Sequence, residues 1–123
     1  MRRSFLSALA VLLSASGFMP AMAHHSFAMF DQTKTVVLQG VISRFEWTNP
    51  HVFVFVDVKK NGKSVTHALE GSSPSLMRHA GWTFDTLKPG DMVEVTVHPV
   101  KESNARGMLV TVKLPNGQTL KGW

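Results

Sequence analysis

Between His51 and Lys59 the chain places Val52, Val54, Val56 and Val58 on one side of an extended backbone, and Phe53 and Phe55 on the other. Successive side chains of a strand point to opposite faces, and β-branched and aromatic residues suit that pleated setting. A helix does not fit, because its apolar stripe recurs every three to four residues. Asn61-Gly62 then reads as a hairpin turn and Lys63 to Glu70 as the returning strand. This hairpin makes the chain mainly β, and the other segments must be fitted around it.

Thr35 to Trp47 reads as a long strand. Val36 and Leu38 share one face, while Val41, Ser43 and Phe45 have the opposite parity. Gly40 sits where the phase changes, which predicts a bulge or sharp bend there. Thr48-Asn49-Pro50 is a turn signal, and Pro50 is a candidate for a cis bond. After the hairpin the period changes. Ser73 suits an N-cap, Pro74 the first helical position and Gly81 the residue beyond the helix. Leu76, Met77 and Ala80 form the apolar stripe of a helix of about two turns. A turn at Leu87–Asp91 leads to Met92–Val100, with Val93, Val95 and Val97 inward. Lys101 to Gly107 reads as a polar loop. Gly107 to Leu114 alternates again, with Met108, Val110, Val112 and Leu114 inward, and Pro115-Asn116-Gly117 precedes a short strand, Gln118 to Lys121. The expected fold is a small five- to six-stranded barrel of the OB type, with one short helix between strands three and four. An open sandwich of the same strands is the alternative.

Residues 1–23 carry a charged start at Arg2 and Arg3, an apolar run from Leu6 to Leu13 and a small-x-small site at Ala21-Met22-Ala23. That is the pattern of a cleaved secretory signal, and the run is too short and broken to span a membrane. Arg2-Arg3-Ser4-Phe5-Leu6 also resembles a twin-arginine export core. The expected organisation is a signal at 1–23, an extended arm at 24–34 and a barrel domain at 35–123, in a periplasmic or secreted protein. Losing Arg2 and Arg3 lowers the formal charge from +5 to +3, which weakens any nucleic-acid reading. The chain has no cysteine, so disulfides, thiolate metal sites and cysteine nucleophiles are excluded.

Cleavage after Ala23 would expose His24 as the amino-terminal residue, followed by His25. Its α-amine and ring Nδ1 can chelate one metal ion, and the amine's ordinary pKa near 8 lets a metal displace its proton close to neutrality. Nitrogen-rich tetragonal sites suit Cu(II) ahead of Ni(II) or Zn(II). Met29 adds a thioether and Asp31 a carboxylate or outer acceptor. The simpler reading is a solvated pair of histidines with adventitious metal affinity. His51 opens the best strand beside Trp47 and Asn49. An extended arm from His24 to Lys34 spans roughly 33 Å, enough for His51 to complete a three-histidine set. A strand-end histidine bonded to nearby turn backbone is the alternative for His51.

The other histidines carry less. His67 reads as a hydrogen-bonded core residue, His79 as a cation at a helix end, and His98 as solvated surface. No nucleophile elbow, phosphate loop or placed carboxylate pair is present, so no catalytic residue is expected. Phe53, Phe55 and Trp47 could stack on bases, as OB-folds allow, but on a barrel of this size such residues more often pack beneath the arm or helix, with Phe27 and Phe30 as partners.

The segments His24–Asp31, Trp47-Thr48-Asn49-Pro50-His51 and Leu87-Lys88-Pro89-Gly90-Asp91 resemble domain-of-unknown-function family 6152, a family of small exported bacterial proteins. The resemblance implies an envelope protein and brings no activity, ligand or catalytic residue. The expected function is an exported, non-enzymatic binding module. It would take copper or another transition metal at His24, His25 and His51, supported by Met29, Asp31, Trp47 and Asn49. The alternatives are a metal-free barrel that binds an envelope protein or small molecule, and a copper-dependent redox enzyme. Neither a nucleic-acid partner nor an integral membrane span is expected.

Overall fold

The computed structural model describes residues 25–123, and side chains from Phe27 onward. The expected signal and His24 lie outside the described residues. The elements are α1 (His25–Ala28), β1 (Val36–Glu46), β2 (Phe53–Lys60), β3 (Lys63–Glu70), α2 (Pro74–His79), β4 (Met92–Val100), β5 (Ser103–Lys113) and β6 (Thr119–Lys121). The sheet order is β3-β2-β1-β4-β5-β6, and β3 also pairs with β5. That last pairing is parallel, from Ala68↔Arg106 to Glu70↔Met108, and it closes the first five strands into a barrel. The expected OB-like architecture is therefore what the chain adopts, with β6 added outside the ring on β5.

The β2–β3 hairpin keeps perfect register from Lys60↔Lys63 to Phe53↔Glu70. Val52, Val54 and Val56 face the core at 0% exposure, as their alternation predicts. They pack with Ile42, Leu69, Met77, Trp82, Val95, Leu109 and Val112. α2 closes one end of the barrel. The Ser73 Oγ accepts from the Leu76 amide at 3.3 Å, Pro74 occupies the first turn, and Gly81 leaves the helix at φ +92°.

Four local expectations need correction. The phase change in β1 lies at Ser43, where the register skips between Ile42/Val56 and Arg44/Phe55. Ile42 thus faces the core, and Val41 and Ser43 face outward. Gly40 is needed for a different reason: a Cβ there would strike the Asp57 carbonyl of the adjacent strand. In β5 a second skip, between Thr96/Thr111 and Val97/Leu109, turns Met108 and Val110 outward and puts Leu109 in the core. In α2 only Pro74 and Met77 are buried, while Leu76 is 62% exposed. Pro74 and Met77, three residues apart, share the face turned to the core, and Leu76 points about 100° away from Met77 on the opposite side to Pro74. Finally, residues 101–107 are not a loop. β4 turns directly into β5, with Val100 opposite Ser103.

The arm also differs from an extended segment. It winds one turn at α1, and Phe30 then bridges to Val100 and is buried. The Asp31 amide donates to the Pro99 carbonyl (2.8 Å), and the Lys101 amide donates to the Met29 carbonyl (3.0 Å). These bonds satisfy backbone groups that an unpaired arm would leave to water. The carboxy-terminal residues fill the seam where β3 and β5 part. The Gly122 amide donates to the Val110 carbonyl and the Gly122 carbonyl accepts from the Ser72 amide, at 2.9 and 2.8 Å. The Trp82 Nε1 donates to the Lys121 carbonyl at 2.7 Å.

Candidate functional site

The loop from Trp47 to Val52 joins β1 to β2 and contains a cis Asn49–Pro50 bond. Val52 anchors its end: its amide donates to the Ser72 carbonyl (3.0 Å) and its carbonyl accepts from the Gly71 amide (2.8 Å). With Val52 turned into the core, His51 must point the other way. The hairpin register puts Glu70 opposite Phe53, on the same face and one diagonal step from His51. The two side chains meet, with His51 Nδ1 2.5 Å from Glu70 Oε1. They are 28% and 12% exposed. A carboxylate on Nδ1 fixes the ring tautomer and leaves Nε2 as the nitrogen that can act as a ligand.

Trp123 completes this cluster. Its Nε1 donates to the Glu70 carbonyl at 2.9 Å. Its ring stands edge-on to His51 at 5.3 Å between centroids, and to Phe27 at 4.9 Å. Such edge-to-face aromatic contacts are mildly attractive. Phe27 belongs to α1, whose first residue is His25. A continuous row, Phe27–Trp123–His51–Glu70, therefore ties the helical turn of the arm to the start of β2.

The remaining expected positions are dispersed. His24 is outside the described residues, and His25 is described only by its backbone. Met29 is half-buried and engages Lys101 through its carbonyl. Asp31 accepts from the Thr33 hydroxyl and amide and lies 3.4 Å from Lys34 Nζ. These partners, the Thr33 hydroxyl first, hold the Asp31 carboxyl below the ordinary carboxylate range. Asp31 lines a different cavity, to which His51 does not contribute. Asn49 is exposed. Trp47 packs against Phe45, and the Arg78 guanidinium lies 5.6 Å from its ring. Its buried Nε1 has no hydrogen-bond partner among the described residues. Among those residues no three histidine, aspartate or glutamate side chains converge on a point that could hold a metal.

His67 and His98 are occupied locally. His67 Nδ1 lies 3.2 Å from the Val65 carbonyl, and His98 Nδ1 lies 2.8 Å from the Lys34 carbonyl. Phe53 and Phe55 stack on the outer sheet face, with Arg44 3.9 Å over Phe55. They do not pack beneath the arm, whose Phe27 meets Trp123.

Sequence reasoning missed Glu70 and Trp123. The signal for Glu70 was available: counting outward from Asn61-Gly62 pairs Phe53 with Glu70 and puts His51 diagonal to it. Trp123 carried no such signal, because its place depends on where the barrel seam opens.

The model of a family of unknown function, DUF6152, matches residues 11–110. No curated protein matches the chain.

Proposed function

The chain belongs to the family of unknown function DUF6152, which brings no activity with it, and we propose that it is an exported, non-enzymatic binding module for copper or another late transition metal. In this reading, removal of residues 1–23 frees the His24 amine to chelate with its own ring. His25 and His51 Nε2 add the further nitrogens. The observation that supports it is the Glu70 carboxylate on His51 Nδ1. That pairing is the usual way the ring of a ligating imidazole is oriented and its tautomer fixed. The Phe27–Trp123–His51 row supports it too, because it holds the first helical turn of the arm beside the same histidine. With no cysteine, thiolate is excluded, and the histidine nitrogens that lead the donor set suit Cu(II).

The test is a copper titration of processed protein, read by intact mass and by nitrogen hyperfine structure in electron paramagnetic resonance. One equivalent should bind. A His24→Ala, His25→Ala variant should lose at least about 100-fold in affinity, and His51→Ala about tenfold. Binding by the double variant as tight as wild type ends the proposal, as does a mature chain that does not begin at His24. A second reading is metal-free docking of an envelope protein at Trp47, Asn49 and His51, favoured by the Trp47 Nε1, which has no hydrogen-bond partner among the described residues. It predicts capture that survives chelator and is lost in Trp47→Ala.

A further inference from the structure

We propose that the open mouth of the barrel, at the end away from α2, binds a single-chain amphipathic anion: an acidic head on a hydrocarbon tail. A cavity of about 520 Å³ lies there. That is within the range of roughly 300–1,000 Å³ usual for small-molecule sites. Its walls are aliphatic. Val36, Leu38, Val58 and Val65 line it, and Val36 and Val65 remain 38% and 39% exposed. Among the described residues no helix covers this end as α2 covers the other, so apolar surface lies exposed within a concave site.

The rim is cationic. Lys34 comes from the arm, Lys60 from the end of β2, Lys101 from the turn after β4, and Arg106 from the first part of β5. Among the described residues Asp31 is the one carboxylate on this rim, and Lys34 already pairs with it at 3.4 Å. Like charges gathered around low-dielectric walls focus a positive field into the mouth. A small hydrophilic anion would satisfy the rim and leave the valines in water. A neutral hydrocarbon would cover the valines and leave the cations unanswered. An amphipathic anion answers both, with its tail along the valines and its head among the lysines.

The lip of the cavity is a fixed structure. Phe30 bridges to Val100, the Asp31 amide bonds the Pro99 carbonyl, and His98 Nδ1 lies 2.8 Å from the Lys34 carbonyl. Lys34 and Lys101 are thereby held on the same side of the opening. The site shares no lining residue with the His51–Glu70 pair, so it stands or falls apart from the metal reading.

The experiment is isothermal titration of the processed protein, with chelator present, using octanoate, nonanoate and decanoate below their aggregation limits. Decanol, inorganic phosphate and phosphatidylglycerol vesicles are the comparison arms. Each added methylene should tighten binding by up to about fourfold. Decanol should bind at least tenfold more weakly than decanoate, and phosphate should give no saturable heat. Lys60→Ala with Arg106→Ala should weaken decanoate about tenfold and leave decanol unchanged. Val65→Trp, which fills the mouth, should abolish both while circular dichroism remains that of the wild type. Equal binding of decanol and decanoate overturns the proposal, as does phosphate binding as tight as decanoate. Association with the vesicles but not with monomeric decanoate also overturns it, in favour of a membrane surface.

Discussion

The two ends of the β2–β3 hairpin are built on opposite principles. At the Phe53/Glu70 end the chain fills its own space. α2 covers the barrel, Gly122 and Trp123 occupy the seam between β3 and β5, and Glu70 engages His51 through its side chain and Trp123 through its carbonyl. At the Lys60/Lys63 end none of the described residues fills the barrel, and a cavity of about 520 Å³ with a cationic rim remains. The first end is held by hydrogen bonds and aromatic contacts that cannot be removed singly without leaving a partner unsatisfied. The second is lined by residues already in contact with water. Stability should therefore concentrate at the closed end, and tolerance to change at the open one.

The largest effect should come from deleting Gly122 and Trp123. That removes the bonds to Ser72, Val110 and Glu70 and opens the seam. A loss of about 3 kcal/mol in urea unfolding follows from roughly 1 kcal/mol per lost bond. A smaller, purely steric break is Gly122→Ala, whose Cβ would meet the Leu109 carbonyl. Overpacking of this kind costs about 1–3 kcal/mol. If both variants unfold with the wild-type midpoint, the contrast between the two ends is wrong. Next in size is Glu70→Gln, which weakens a partly buried charge-assisted contact to His51. About 1 kcal/mol of stability should go. Copper affinity, should the metal reading hold, should fall 10- to 100-fold. Against these, Lys60→Ala at the open rim should stay within about 0.5 kcal/mol of wild type.

The closed end was only partly legible in the sequence. The alternating valines of β2, the Asn61-Gly62 turn and the Ser73/Pro74/Gly81 brackets around α2 are local signals, and each places its element correctly. Together they suffice for the barrel order, because few folds insert one short helix after three strands. The two register skips left no comparable mark. A bulge at Ser43 or Val110 is set by the twist needed to close the ring, a property of paired strands and not of one strand's composition. Simple alternation therefore points Leu109 outward and Val110 inward, and the bulge reverses the two. The arm failed for a related reason: residues 24–34 have no period of their own, and the β4–β5 hairpin dictates the pairing of Phe30. Of the candidate site, His51 was recognisable from its place before a buried valine. Its partner Glu70 needed the hairpin register, and Trp123 needed the whole closed fold. The cavity could not be read at all, since Lys34, Lys60, Lys101 and Arg106 belong to four separate stretches of sequence.

The smallest predicted effect tests whether the arm belongs energetically to the open end. Asp31 is held below its ordinary value near 3.8, chiefly by the Thr33 hydroxyl, with the Thr33 amide and Lys34 adding to it. A carboxyl whose folded value is depressed stabilises the fold above its unfolded value, and that contribution disappears as pH falls through the folded value. Asp31→Asn should therefore lower the unfolding midpoint slightly at pH 6, and the difference should vanish only once the pH has fallen below the depressed folded value, where the wild-type carboxyl is also neutral. Because Asp31 sits at the surface, salt should shrink even the difference at pH 6. A thermal melt series across this range, at low and at physiological ionic strength, measures it. An equal loss at every pH would mean that Asp31 acts through its turn geometry with Thr33 and not through its charge. The lip of the cavity would then owe its shape to the bonds of Met29, Phe30 and Asp31 with the β4–β5 hairpin alone.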